Sequence, residues 1–466
     1  MMVRVVVVFL VACAVGVRGL VAVSSPLSGG RRCCSFDAEE YEAVEIAVDK
    51  KFPVRGTLFR AGPCDKKGNG AFLAVTFSDE SVIARMRFVR TAGYLQALRE
   101  SQGEKPRALR PETPTGVAAA CCYWADRLFA LQDEGQPYQM DPLSLGTQKM
   151  SDLGGQIDKA FAPRTRVLNE EKVLCNVEFT PGGLFFPPTL SFLEFDDRFR
   201  LKKTPSKQVK LDKDERLLDW SPSESRYAAL TKTPTTTSLR ITPRTMTSSF
   251  RLSLDDDADD DADDDADDDA DSSSYVAIVD CFDDDEKDSL VVDVLTDNGS
   301  LRRLTIIGET LEKTVDMASN VDCVTVASDR KSLYASAGSS LLKIQDSKIV
   351  ASYEGQGNVG PATVVGDDHL LALIHCGDSR TEIAAFSTSN LACIASAPLP
   401  KPLPFAGACL DGTFAPKLVP SLEDLRAAET LMRLYAKKSR EWNEIEGGFS
   451  GLGIKSFLFP KGVSGG

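Results

Sequence analysis

VAAACCYWADRLFALQDEGQPYQMDPLSLGT, residues 117–147, holds the pattern that decides the fold. Within it the apolar run RLFALQD (127–133) is closed by turn-forming residues. The same arrangement returns at AFLAVTF (71–77), SLVVDVL (289–295) and HLLALIH (369–375). Runs this short, bounded by Gly, Pro, Asp and Asn, read as strands of about four to eight residues. Spread from residue 50 to about 415, they predict an all-β domain: a barrel, a sandwich or a propeller. No fixed sequence repeat chooses among the three.

The 466 residues suit one large all-β domain or two smaller ones, and 42% hydrophobic content is that of a folded chain with a substantial core. The formal charge of −14 is local, because Asp255 to Asp271 (DDDADDDADDDADDDAD) carries thirteen aspartates and the remainder stands at −1. A nearly neutral body has no nucleic-acid footprint. Like charges side by side bury nothing, so the tract is expected to be a disordered, solvated loop insert. Twelve cysteines occur without a CxxC, and the adjacent pairs Cys33-Cys34 and Cys121-Cys122 read as small buried residues. His369 and His375 are the two histidines of the chain.

Both ends depart from the strand pattern. Arg4 and the apolar run Val5 to Val17, with small residues between Gly19 and Ala22, read as a signal peptide over 1–22. The Ser- and Arg-rich, acid-free start of 23–48 resembles the second part of a plastid-targeting leader. The expected route is therefore secretory, ending in a plastid or outside the cell. At the other end, Ser421 with Glu423 and Asp424, leucines at 422, 425, 431 and 434, and Gly447-Gly448 predict a capped helix on the outside of the domain, within a C-terminal piece spanning 417–466.

Several segments resemble the carotenoid cleavage oxygenase family, in order. PVRGTLFRAGP (53–63) is similar to its opening P-x-x-G-T-L-Y-R-N-G-P, and RFVRTAGY (87–94) to its next strand and turn. Residues 117–147 are similar to its V-A-N-T…L-A-L-x-E-G-G-x-P-Y-x-L-D-P segment, DLGG follows at 152–155, and SRTEIAAFSTSNLACIASAPLPKPLP (379–404) matches a late stretch. The family's F-D-G stretch is missing, with DKKGNG at 65–70 in its place. The resemblance implies a seven-bladed β-propeller over 49–416. It further implies axial iron(II) held by four histidines, glutamates orienting those histidines, a polyene substrate cut by dioxygen, and peripheral membrane contact.

Aligned on the family's motifs, FAPRTRV (161–167) puts Arg164 at the first histidine, and LDWSPSE (218–224) puts Leu218 at the second. AIVDCFD (277–283) puts Ala277 at the third, and CLDGTF (409–414) puts Asp411 at the fourth. The orienting glutamates align with Asp133, Asp283 and Gly360. An arginine stays protonated, and leucine and alanine carry no donor, so no iron or other metal cofactor is expected. Arg164 is expected to pair with Asp411, Asp133 or Asp283 in a plug at the old metal site; the alternative is that it points outward from a loop. The resulting expectation is a protein that binds a carotenoid, an apocarotenoid or a protein partner without cleaving it. The competing readings are a persisting dioxygenase, a metal-independent isomerase or hydratase, and a scaffold used only for assembly.

Overall fold

The structure, a computed structural model, describes residues 39–63, 70–91, 94–95, 98, 103, 118–132, 135–157, 160–162, 164–168, 172–183, 186–202, 208–245, 249–254, 274–284, 287–327, 330–403 and 412–446. The signal segment, the aspartate tract, Asp133, Asp411 and Gly447-Gly448 lie outside the described residues.

Among the described residues the strands form seven antiparallel sheets arranged as the blades of a propeller. The first blade runs outward from Thr413–Ala415 through Gly56–Pro63, Gly70–Phe77 and Val82–Phe88 to Tyr41–Ile46. The second spans Ala118 to Met150, the third Ala160 to Lys210, and the fourth Arg216 to Ser253. The fifth spans Tyr275 to Ala318, the sixth Cys323 to Glu354, and the seventh Asn358 to Pro398. Around the axis, Thr413–Ala415 touches Ala118–Trp124 on one side and Thr363–Val365 on the other. Arg216–Pro222 touches Tyr275–Asp284, which in turn touches Cys323–Val326. The four apolar runs noted in the sequence are all strands of these blades.

The continuous apolar runs follow from packing on both sheet faces. Side chains alternate between faces along a strand, and each blade has a neighbour on either side. Thus Leu58, Leu73 and Val75 pack with Leu371 and Ile383 of the seventh blade, while Phe59, Phe72 and Ala74 pack with Leu128 and Met140 of the second. Equivalent wedges join the other blades, with Phe192 against Trp220 and Leu230 against Val292 as examples. Burial fades outward: all eight residues of Gly70–Phe77 are buried, whereas Lys348–Glu354 at a rim is mostly exposed.

The domain begins earlier than the expected residue 49. Tyr41–Ile46, placed in the leader by sequence, is the outer strand of the first blade, paired with Val82–Phe88. The C-terminal helix is present as Leu422–Glu446 (α1). Ser421 Oγ accepts the Asp424 N–H at 3.1 Å and donates to the Asp424 carboxylate at 2.7 Å, a reciprocal cap that holds this carboxyl below its ordinary range. The buried face of α1 holds only two of the four helically spaced leucines. Leu425 and Glu429 are buried, with Leu422 and Met432 beside them, while Leu431 and Leu434 face outward. At 3.6 residues per turn, 422, 425, 429 and 432 share one stripe, and 431 and 434 fall off it.

Ring closure puts one glycine under constraint. Gly56 sits at φ +145°, and a Cβ there would meet the Phe414 ring at 2.6 Å and the Ala415 carbonyl oxygen at 2.7 Å. Gly56→Ala is expected to cost at least about 2 kcal/mol in chemical denaturation, from backbone strain plus the clash. Gly183→Ala, where a Cβ meets nothing within 4 Å, is expected to stay within about 0.5 kcal/mol of the parent.

Candidate functional site

The inner strand of each blade has one edge with no sheet partner, so its carbonyls and N–H groups must be satisfied by something else. In the third, fourth and fifth blades this role falls to charged side chains. Arg164 lies just before the strand Arg166–Leu168, its segment fastened by Asn176, whose side-chain amide accepts the Ala162 N–H at 3.0 Å and donates to the Ala162 carbonyl at 3.1 Å. From there the Arg164 guanidinium reaches Asp219 on the fourth blade at 2.5 Å and the Ile278 carbonyl on the fifth at 3.3 Å. Arg166 donates to the same Ile278 carbonyl at 2.8 Å.

Asp219 is fixed from three directions. One carboxylate oxygen accepts from Arg164 and from the Ile278 N–H at 3.1 Å, and the other accepts the Trp220 N–H at 2.9 Å. Bulges in the inner strands make this geometry available: the pairing slips between Leu217 and Asp219, and again between Tyr275 and Ala277 and between Ile278 and Asp280.

Of the expected partners of Arg164, Asp283 bonds elsewhere, accepting from the Ser225 N–H and hydroxyl at 2.9 Å each and lying 3.4 Å from Arg226. Asp133 and Asp411 lie outside the described residues. Leu218, displaced by its bulge, packs against the apolar wedge between the fourth and fifth blades, and Ala277 lies in the wedge between the fifth and sixth. Gly360 is buried in the seventh blade, its N–H on the Leu373 carbonyl and its own carbonyl accepting from Ser336. Arg164 therefore meets Asp219 and Ile278, the chain neighbours of Leu218 and Ala277. Asp219 was legible only as a lone aspartate in the apolar run LLDW.

Two levels further along the fifth blade, Asp280 is 6% exposed, and one of its oxygens has no hydrogen-bond partner among the described residues. Burial pushes its carboxyl up to about 6, against the opposing pull of Arg330, the Cys281 N–H and Arg166. Arg330 is itself held by the Cys281 carbonyl at 3.3 Å and Glu224 at 3.0 Å. Beside the Arg164 pair lies a cleft of about 140 Å³, walled by Ala120, Cys121, Cys122 and Leu174 and edged by Thr165 and Thr413. Burial pushes the Cys122 thiol up to about 12.

Sequence and structure comparisons agree with this architecture. The profile of the family described as RPE65, retinal pigment epithelial membrane protein, matches residues 53–262. The chain is 30% identical over 131 residues to the apocarotenoid-15,15'-oxygenase of Synechocystis sp., covering 22% of this chain and 26% of that protein. It is 26% identical over 144 residues to resveratrol cleavage oxygenase 1 of Chaetomium globosum, covering 27% and 24%. The aligned segments thus span about a quarter of either relative's length. A solved variant of the Synechocystis apocarotenoid oxygenase superposes with TM-score 0.66 at 18% identity, over 83% of this chain and 98% of that one. Over residues 53–262 the chain thus matches the carotenoid oxygenase family, and it shares the fold of the solved apocarotenoid oxygenase.

The residues at the family's aligned iron positions do not fit that metal. Arg164 is a cation already paired to a carboxylate, and Leu218 and Ala277 supply no donor atom. Among the described residues no three His, Cys, Asp or Glu side chains gather closely enough to share an ion. His369 and His375 stand at opposite ends of one strand, about 20 Å apart at 3.3 Å per residue, and cannot act together.

Asp280 supplies a test of the axial electrostatics. Its carboxyl holds a proton more tightly in the folded chain (about 6) than its ordinary value of 3.8 allows. The stability it contributes is therefore full below about pH 4 and is lost as pH rises through 6. Asp280→Asn cannot ionise, so its unfolding free energy at pH 7.5 is expected to exceed the parent's by up to about 3 kcal/mol, at 1.36 kcal/mol per unit, and its melting temperature to be higher. The gain should vanish below about pH 4. A variant melting lower than the parent at pH 7.5 would show that the charged form is the one the fold requires.

Proposed function

We propose that this protein is a carotenoid oxygenase-fold binding protein that holds a carotenoid or apocarotenoid without iron-dependent cleavage. The observation that carries this reading is the Arg164–Asp219 ion pair, with a protonated guanidinium standing where the family alignment expects an iron ligand. Non-haem iron is ordinarily held by at least two histidines and a carboxylate, and neither arginine, leucine nor alanine replaces an imidazole. Support for the ligand class comes from the relatives, one named for an apocarotenoid and one for resveratrol, both extended conjugated molecules. The apolar walls of the cleft beside Arg164 suit such a molecule.

The test is made on the full chain expressed with added Fe(II) and purified without chelator. Metal analysis is expected to find iron far below one atom per chain. Incubation with an apocarotenal is expected to give a protein-bound absorption band with no shortened aldehyde products. Near-stoichiometric iron together with cleavage products would overturn the proposal in favour of a working dioxygenase. Conversion to an isomer or hydrate without metal would favour acid–base chemistry on the same scaffold.

A further inference from the structure

Asn-x-Ser/Thr occurs once in the chain, as Asn298-Gly299-Ser300, in the hairpin between Ser289–Thr296 and Leu301–Ile307 of the fifth blade. The turn is pinned through its backbone. The Gly299 N–H donates to the Thr296 carbonyl at 3.0 Å, the Thr296 N–H to the Ser300 carbonyl at 3.0 Å, and the Val321 N–H to the Gly299 carbonyl at 2.8 Å. Asp297 ties the same turn to Ser274, accepting its N–H at 3.1 Å and its hydroxyl at 2.9 Å. Gly299 is buried at φ +80°, where a Cβ would meet the Val321 carbonyl oxygen at 3.0 Å, so glycine carries the chain inward there. Asn298 is left exposed beside it. Its carboxamide is engaged on one side: Oδ1 accepts from the Thr296 hydroxyl at 2.6 Å and the Ser300 N–H at 3.2 Å, while Nδ2 has no hydrogen bond among the described residues.

Resting on the secretory route expected from residues 1–22, we infer that Asn298 is an acceptor for N-linked glycosylation. Turn chemistry accounts for part of the triplet, because Asn-Gly is what a tight hairpin selects. It does not account for the Ser300 hydroxyl, which makes no hydrogen bond among the described residues; the turn uses only the N–H and carbonyl of that residue. A hydroxyl two positions after the asparagine is what the acceptor motif requires. In the reaction Nδ2 forms a bond to the anomeric carbon of a lipid-diphosphate-linked oligosaccharide. The carbon–oxygen bond to the diphosphate breaks with its electron pair on the diphosphate, and one amide proton is released. Oδ1 stays a carbonyl acceptor throughout, so both hydrogen bonds that the Asn298 side chain gives the turn survive the modification. None of residues 296–300 lines the cleft beside Arg164, so a glycan here leaves that cleft open.

The experiment expresses the full chain with its own leader in a eukaryotic cell line and digests it with a peptide-N-glycosidase, which hydrolyses the sugar–amide link and leaves aspartate. The parent is expected to gain mobility on a denaturing gel in a single step. Digestion in heavy-oxygen water is expected to place the label at residue 298, with none in an undigested control held in the same water. Ser300→Ala removes the hydroxyl but no hydrogen bond of the turn, and is expected to migrate with the digested parent and to take up no label. Ser300→Thr is expected to keep both the glycan and the label, and Asn298→Gln to lose the glycan. A parent whose mobility digestion leaves unchanged would overturn the inference while leaving the ligand-binding function standing. A digestible glycan that persists in both Ser300→Ala and Asn298→Gln would overturn it too, by placing the acceptor elsewhere.

Discussion

Three backbone pairings hold the ring closed: Thr57 with Ala415, Leu58 with Phe414 and Phe59 with Thr413. They join residues more than 350 positions apart in sequence, so the propeller exists only when both ends of the chain are in place. Closure also builds the site, because it carries Gly412 and Thr413 to the cleft that Arg164 lines. Beneath the closing strand the fully buried Arg60 ties the first blade to the seventh, donating to the Pro361 carbonyl and, at 2.9 Å, to the Thr363 hydroxyl. A Cβ at Gly412 would strike that guanidinium at 2.6 Å. On the outer side, Glu429 of α1 accepts the Ala43 N–H at 3.0 Å, and burial holds its carboxyl above the ordinary range. The helix thus fastens the rim strand of the same blade that the closing strand fastens at the axis.

A ring of radial sheets creates two different demands, one met by apolar residues and one by charge. Between blades, both faces of each sheet are buried, which rewards uninterrupted apolar strands and large wedges such as the stacked Phe192 and Tyr227 rings, 4.2 Å apart. At the axis, each innermost strand leaves an unpaired edge whose carbonyls need donors. Arg164 and Arg166 serve the Ile278 carbonyl and Arg330 serves the Cys281 carbonyl, so the inner edge of the fifth blade is capped by arginines from both sides. Asp219 and Asp280 bring negative charge to the same region.

The first demand was legible from sequence and the second only partly so. Runs such as AFLAVTF and HLLALIH announce strands because burial on two faces leaves no polar alternation to disguise them. The boundary at Tyr41–Ile46 escaped because YEAVEI, on an exposed rim, alternates charged and apolar residues and looks like leader. The helix is legible from its cap and leucine spacing, whereas its buried stripe of Leu425, Glu429 and Met432 is not, since a buried glutamate in it carries no apolar signal. Arg164 is singled out by the family motif, but its contact with Asp219 is not. Which carboxylate meets it depends on the bulge that turns Asp219 toward the third blade, and a bulge leaves no mark in composition.

Why the axis uses an ion pair rather than an apolar plug follows from the same edge carbonyls. A buried pair repays its desolvation only when geometry and supporting hydrogen bonds are good, and an apolar replacement is often as stable. Here an apolar side chain at position 164 would withdraw a donor from the Ile278 carbonyl and leave the Asp219 carboxylate, 8% exposed, facing two N–H groups without its cation. The Ile278 carbonyl would keep Arg166, but a buried carboxylate left without its cation costs more than one hydrophobic contact returns. Asp219 in turn cannot be dropped cheaply, because it satisfies the Ile278 and Trp220 N–H groups where the bulges interrupt the ladder. Each partner is thus retained by what it does for the backbone as well as for the other. The guanidinium at the cleft edge is held by its scaffold.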